Sequence, residues 1–184
     1  MDTDVINEQG WTLAEKRKKF GVKNNKGKLI IPIKYLYISP FIDGLAIVKY
    51  KSSIFSEVRW GIINEEGQEH LFSTDYEEIK ILNGNLLAVR VSDENGNLRW
   101  GLINKFGYRI TKPKYDDCPG IFKSGLAIVS CDGLCALIND TGYQICSAKY
   151  ERIDITEEGL ITVWREGKSY RMNRSGAILK EPKI

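Results

Sequence analysis

Apolar residues in this chain come in short runs separated by polar turns, and they rarely show the three-to-four-residue spacing of an amphipathic helix. Runs such as Leu45-Ala46-Ile47-Val48 and Leu126-Ala127-Ile128-Val129 are too short for a helix. Rich in apolar and β-branched residues, they predict strands buried on both faces. One stretch is ambiguous. Thr12-Leu13-Ala14-Glu15 resembles a capping box ahead of a charged turn. Thr12 to Lys19 therefore reads either as a short helical cap or as a strand leading into Phe20-Gly21.

The pattern repeats. Phe20-Gly21-Val22-Lys23-Asn24-Asn25-Lys26-Gly27 returns as Trp60-Gly61-Ile62-Ile63-Asn64-Glu65-Glu66-Gly67 and as Trp100-Gly101-Leu102-Ile103-Asn104-Lys105-Phe106-Gly107. Degraded copies begin at Cys135 and Ser169 and end on Gly142 and Gly176. A tyrosine comes after each of the first four turn glycines, at Tyr35, Tyr76, Tyr115 and Tyr150. After each tyrosine comes a third landmark, an apolar run at 45–48, 87–89, 126–129 and 160–163.

Each copy reads as strand, turn, strand. In Asn-x-x-Gly the asparagine side chain bonds the backbone two residues on, and the glycine supplies the positive φ that closes a hairpin with a bulge. The glycine after each Trp or Phe leaves room for a neighbouring backbone or ring. The connection from the third landmark to the next copy varies in length, through 51–57, Asp93 to Asn97, Asp132-Gly133 and Glu166 to Lys168. Variation confined to one loop marks one face of an array, often the binding face. The longest such loop carries Ile54 and Phe55.

The predicted fold is all-β, a solenoid or superhelix of stacked antiparallel hairpins, with a closed propeller-like ring as the alternative. Residues 1–19 form an N-terminal cap or leader. Repeats run about 20–59, 60–99, 100–134 and 135–168, and a half-repeat closes the chain at 169–184. Units of this size bury their apolar side only against a neighbour.

Trp-Gly-aliphatic-aliphatic-Asn-x-x-Gly, then Pro-x-x-Tyr, then Gly-Leu-Ala-x-Val, resembles the WG repeat family of bacterial proteins. Ile31-Pro32-Ile33-Lys34-Tyr35 and Lys112-Pro113-Lys114-Tyr115 carry the middle motif, and Gly44 to Val48 and Gly125 to Val129 carry the last. The resemblance covers residues 20–184. It lapses where Cys135 and Ser169 replace the tryptophan and Ala136 and Tyr170 the glycine. It implies a β-repeat interaction scaffold with no generally assigned enzymatic activity, and it supplies no catalytic residues.

Composition changes this picture little, since 42% apolar and 28% charged residues are ordinary values. Met1-Asp2-Thr3-Asp4 lacks the basic start of a secretory signal, and four cysteines outside a secreted chain are expected to stay reduced. A cytoplasmic location is the expectation. Charge is more informative. From Lys16 to Lys51 ten basic residues stand against one acid, Asp43, in a chain whose net charge is only +3. Such a patch attracts acidic partners in a salt-dependent way.

Candidate chemistry is sparse. Cys131 and Cys135 flank a turn while Cys118 and Cys146 are isolated. The spacing does not make two zinc-binding pairs, so buried thiols are the better reading. His70, the single histidine, has no nucleophile motif beside it. The acids after the tyrosines, Glu77, Asp116 and Glu151, read as a solvated rim. Recurring Trp60, Trp100 and the four tyrosines read as core. Trp11 and Trp164 fall outside the landmarks and, where exposed, are candidate partner anchors.

These features predict a non-enzymatic protein-binding repeat module without cofactor or metal. One concrete form is a cytoplasmic immunity or antitoxin-type protein that plugs a toxin domain. The residues expected to meet a partner are Lys16, Arg17, Lys18, Lys19, Ile54, Phe55, Trp11 and Trp164. The alternative is a polyanion or nucleic acid bound through the Lys16–Lys51 region. Membrane binding is not expected.

Overall fold

The structure, a computed structural model, describes residues 5–51, 57–72 and 76–179. The described chain contains strands, turns and bends but no helix. Strands β1 (Thr12–Lys16), β2 (Lys19–Lys23) and β3 (Leu29–Tyr35) form the first sheet. The second holds β4 (Tyr37–Ile38), β5 (Leu45–Lys51), β6 (Val58–Asn64) and β7 (Glu69–Leu71). The third holds β8 (Glu78–Ile81), β9 (Leu86–Ser92), β10 (Leu98–Asn104) and β11 (Arg109–Tyr115). The fourth holds β12 (Leu126–Cys131), β13 (Leu134–Asn139) and β14 (Gln144–Tyr150), and the fifth β15 (Arg152–Ile155), β16 (Ile161–Arg165) and β17 (Lys168–Met172). Each sheet is an antiparallel meander in chain order, and none closes into a barrel.

The all-β expectation holds, and the ambiguous segment resolves as strand. Thr12–Lys16 pairs rung by rung with Lys19–Lys23, from Thr12↔Lys23 to Lys16↔Lys19. The helical alternative loses because an eight-residue helix closes few hydrogen bonds, whereas the ladder to β2 satisfies the same backbone. Sheets and sequence repeats are also out of phase. Each sheet takes its apolar strand from one copy and its Trp-Gly strand from the next, as in β5–β6 and β12–β13. Residues 12–16 play that apolar-strand part for the first sheet.

The Asn-x-x-Gly reading is met in atomic detail. Gly27 N–H donates to Asn24 O at 2.9 Å, and the same bond closes on Asn64, Asn139 and Asn173. Asn24 Oδ1 accepts from the N–H groups of Lys26 and Lys28, and Asn139 Oδ1 from those of Thr141 and Tyr143. Gly27, Gly67, Gly107, Gly142 and Gly176 have φ of 76° to 87°.

The glycine after the aromatic answers a different need. Phe20 pairs with Tyr35 but Val22 with Ile31, so two residues of β2 oppose four of β3. The same step occurs at Trp100↔Tyr115 and Leu102↔Thr111, and at Cys135↔Tyr150 and Leu137↔Cys146. This bulge pushes the third strand over the glycine. A Cβ on Gly21 would lie 2.4 Å from Ile31 O, and one on Gly61 2.5 Å from His70 O.

The chain divides into two compact units, residues 1–87 with 105–107, and 88–104 with 108–184. In the first, Ile6, Trp11, Val22, Ile31, Tyr35, Ile38, Ala46, Val48 and Ile63 form one buried cluster drawn from two successive sheets. In the second, Leu126, Leu137, Cys146, Tyr150, Ile153, Ile155, Ile161, Val163 and Met172 do the same. Within each unit, then, an apolar sheet face is buried against the next copy, as the repeat requires.

Candidate functional site

The lysines before the core tyrosines show how successive copies are tied. In the first unit, Tyr35 is 1% exposed and its hydroxyl donates to Glu69 Oε2 at 2.5 Å, while Lys34 Nζ donates to Glu69 Oε1 at 2.9 Å. Burial pushes the Glu69 carboxyl up. The hydrogen bonds from Tyr35 and Lys34 outweigh it, holding the group below its ordinary value. Burial first, then the Glu69 carboxylate, push the Tyr35 phenol far up.

In the second unit Gln144 takes the place of Glu69. Its Oε1 accepts from Lys114 Nζ at 2.8 Å and its Nε2 donates to Cys146 O. Tyr115, also 1% exposed, is left with a buried hydroxyl that makes no hydrogen bond. The Thr111 hydroxyl beside it accepts from Leu102 N–H.

The acids after the tyrosines divide. Glu77 is exposed. Glu151 is exposed too and Asp116 is half-buried, and both also cap turns. Asp116 Oδ2 accepts from Gly133 N–H at 2.9 Å, and Glu151 Oε1 from Glu166 N–H at 2.8 Å. Asp116 also pairs with Arg99, which reaches Asp132 Oδ1 at 3.1 Å. Each carboxylate satisfies a backbone donor in a tight turn.

Of the residues expected to meet a partner, Lys16, Arg17, Lys18 and Lys19 are brought together as the exposed tip of the β1–β2 hairpin. Trp11 is not exposed. At 8% exposure it packs edge-on to Phe41, at 5.9 Å between ring centres, inside the first core cluster. Its partners are distant in sequence, so the anchor role is withdrawn. Trp164 is half-buried, with the Arg152 guanidinium 4.7 Å from its ring centre. Ile54 and Phe55 lie outside the described residues.

The remaining candidates sit in structural surroundings. His70 is exposed on β7, 5.4 Å from the Phe72 ring. It lines a groove of about 560 Å³ with Asp43, Asn64, Glu69, Lys105 and Phe106, and no lining residue is Ser or Cys. The four cysteines are free thiols. Burial pushes those of Cys135 and Cys146 up, away from the thiolate form that attacks substrates or binds metals. Among the described residues no group of three or more His, Cys, Asp or Glu gathers around a common point, and no helix is long and apolar enough to cross a membrane.

Sequence reasoning passed over two tyrosines. Tyr108 and Tyr143 each come directly after the turn glycine of their copy and each donate the backbone N–H to the turn asparagine. The backbone is fixed, yet the rings are 72% and 69% exposed. The signal was an aromatic placed twice in an otherwise polar turn, where Lys28, Gln68 and Ala177 stand in the other copies.

Five antiparallel meanders, the recurring Asn-x-x-Gly turn and the bulge shared by the first, third and fourth sheets define an all-β repeat protein. Residues 20–52 and 100–135 match the family described as the WG containing repeat, and the chain carries that repeat in these two segments. Both matched segments start at the aromatic-Gly strand of one sheet and end near the close of the next sheet's apolar strand, reproducing the phase shift. No curated protein matches the chain.

Proposed function

We propose that this chain is a non-enzymatic repeat module that binds another protein. The observation that carries the reading is the pair of exposed tyrosines at one repeat position, Tyr108 and Tyr143. Tyrosine is over-represented among residues that dominate binding energy, because it supplies a large rigid surface with a polar tip. Rings held on rigid turns lose little further entropy on docking. A cytoplasmic immunity or antitoxin-type protein, seated on a toxin domain, is the concrete form we favour. Four free thiols suit a reducing compartment.

Affinity capture on immobilised wild type and on Tyr108→Ser/Tyr143→Ser tests this reading. One protein is expected to be retained by wild type at high salt and lost from the double variant, with an unchanged Tm because both rings are exposed. Equal retention by the two would remove the tyrosine surface. The toxin-specific form is tested by co-expression, where the chain is expected to restore growth to cells making the captured protein's toxic domain.

A further inference from the structure

The β1–β2 hairpin turns on Arg17 and Lys18, with φ of 53° and 60°, and Lys16 faces Lys19 directly across the ladder. The same two-residue turn closes β12–β13 and β16–β17. There it consists of an acid followed by glycine, Asp132-Gly133 at 51° and 77° and Glu166-Gly167 at 54° and 70°. The first sheet thus departs from its own repeat against local stability. Lysine stands where glycine enters the left-handed region without strain, and the acid has become arginine. Arg165 faces Lys168 in the fifth sheet in the same way, but Glu166 neutralises Arg165 at 2.9 Å. No such carboxylate, among the described residues, pairs with Lys16, Arg17, Lys18 or Lys19.

All four side chains are exposed, and Lys23, Lys26 and Lys28 carry the exposed positive charge to the opposite end of the sheet. Five residues of β2 at about 3.3 Å each separate the two ends by roughly 16 Å. A strained turn kept at a cost is best read as serving a ligand rather than the fold. A line of unpaired cations, rather than a pocket, matches a linear polyanion. None of the exposed large hydrophobic residues falls between residues 15 and 28, so the tip offers nothing to insert into a bilayer.

We propose that the β1–β2 hairpin, through Lys16, Arg17, Lys18 and Lys19, binds the phosphate backbone of a nucleic acid. This goes beyond the protein-binding reading and does not depend on it. Binding is electrostatic and independent of base sequence, since the tip presents cations and no platform for a base.

The test is fluorescence anisotropy of a labelled short duplex DNA titrated with the full chain at several salt concentrations. Four phosphate contacts predict a slope of about −3.6 for log K against log salt. The informative variant is Arg17→Asp/Lys18→Gly, which installs the turn of the fourth sheet. It is expected to bind at least about tenfold more weakly, with a salt slope shallower by about 2. Its Tm should rise by a few degrees, which separates lost binding from lost folding. Unchanged affinity in the variant, or no salt-dependent binding by wild type, overturns the proposal. So does polyglutamate bound as tightly as DNA, or binding to phosphatidylserine vesicles in preference to DNA.

Discussion

Gly21→Ala and Gly61→Ala are each expected to destabilise the protein by about 3 kcal/mol or more, among the largest effects of any single methyl group in this chain. The added Cβ would meet a backbone carbonyl oxygen at 2.4 Å and 2.5 Å. A carbonyl held in a ladder cannot swing aside as the end of a flexible side chain does. At Gly101 the same Cβ would lie 3.1 Å from Pro113 N and 3.2 Å from Thr111 O. Gly101→Ala should therefore cost only about 1 kcal/mol, absorbed by small shifts. The fourth copy shows that relief is available, because Ala136 occupies this position at 1% exposure. Urea midpoints at constant m-value measure the ranking. Equal losses at all three sites would mean that something other than the overlying strand sets the cost.

Tyr35→Phe is the second large effect, a loss of about 1–2 kcal/mol, because it removes a half-buried hydrogen bond to a carboxylate. Tyr115→Phe is expected to lie within about 0.5 kcal/mol of wild type, since its hydroxyl is already buried without a partner. Gln144→Glu, which installs the Glu69 arrangement, should gain up to about 1 kcal/mol in wild type and nothing in the Tyr115→Phe background. The carboxylate also sets a pH dependence. Folded Glu69 lies below its ordinary value of 4.5, so the unfolded chain binds more protons near that pH. The stability Glu69 contributes is complete above 4.5 and is lost as pH falls through its lower folded value. Glu69→Gln should flatten this acid limb while lowering stability at neutral pH. With the Glu69 side chain 33% exposed, solvent screens part of the effect. An acid limb identical in the variant would place the dependence elsewhere.

Legibility in the sequence tracks the range of the interactions. The Asn-x-x-Gly turns are local: asparagine bonds the N–H groups of its own turn and glycine takes its own φ, so their reason lies within five residues. The glycine after the aromatic was half legible. Its need for space could be read, but the carbonyl that fills that space comes from the next strand. The Tyr35–Glu69 bond joins residues 34 apart, and nothing near Tyr35 announces it. Trp11 misled for the same reason, because Ile6 is near but Val22, Phe41 and Ile63 are not. That Asp116 and Glu151 cap turns shows only once the turn 15 to 17 residues on is folded back onto each. At the hairpin tip, charge was legible from composition. That Arg17 and Lys18 occupy an acid-glycine turn required the registers of three sheets side by side.

The phase shift between sheet and sequence copy determines where this chain can be cut and rejoined. A splice at the border between copies, ahead of Trp60 or Cys135, severs β5 from β6 or β12 from β13 and leaves two ragged halves. A splice after Tyr35 or Tyr150 falls where one meander has finished and the next has barely begun. Shuffled or shortened variants should be joined at the tyrosines, although both matched family segments begin at the aromatic, Phe20 or Trp100.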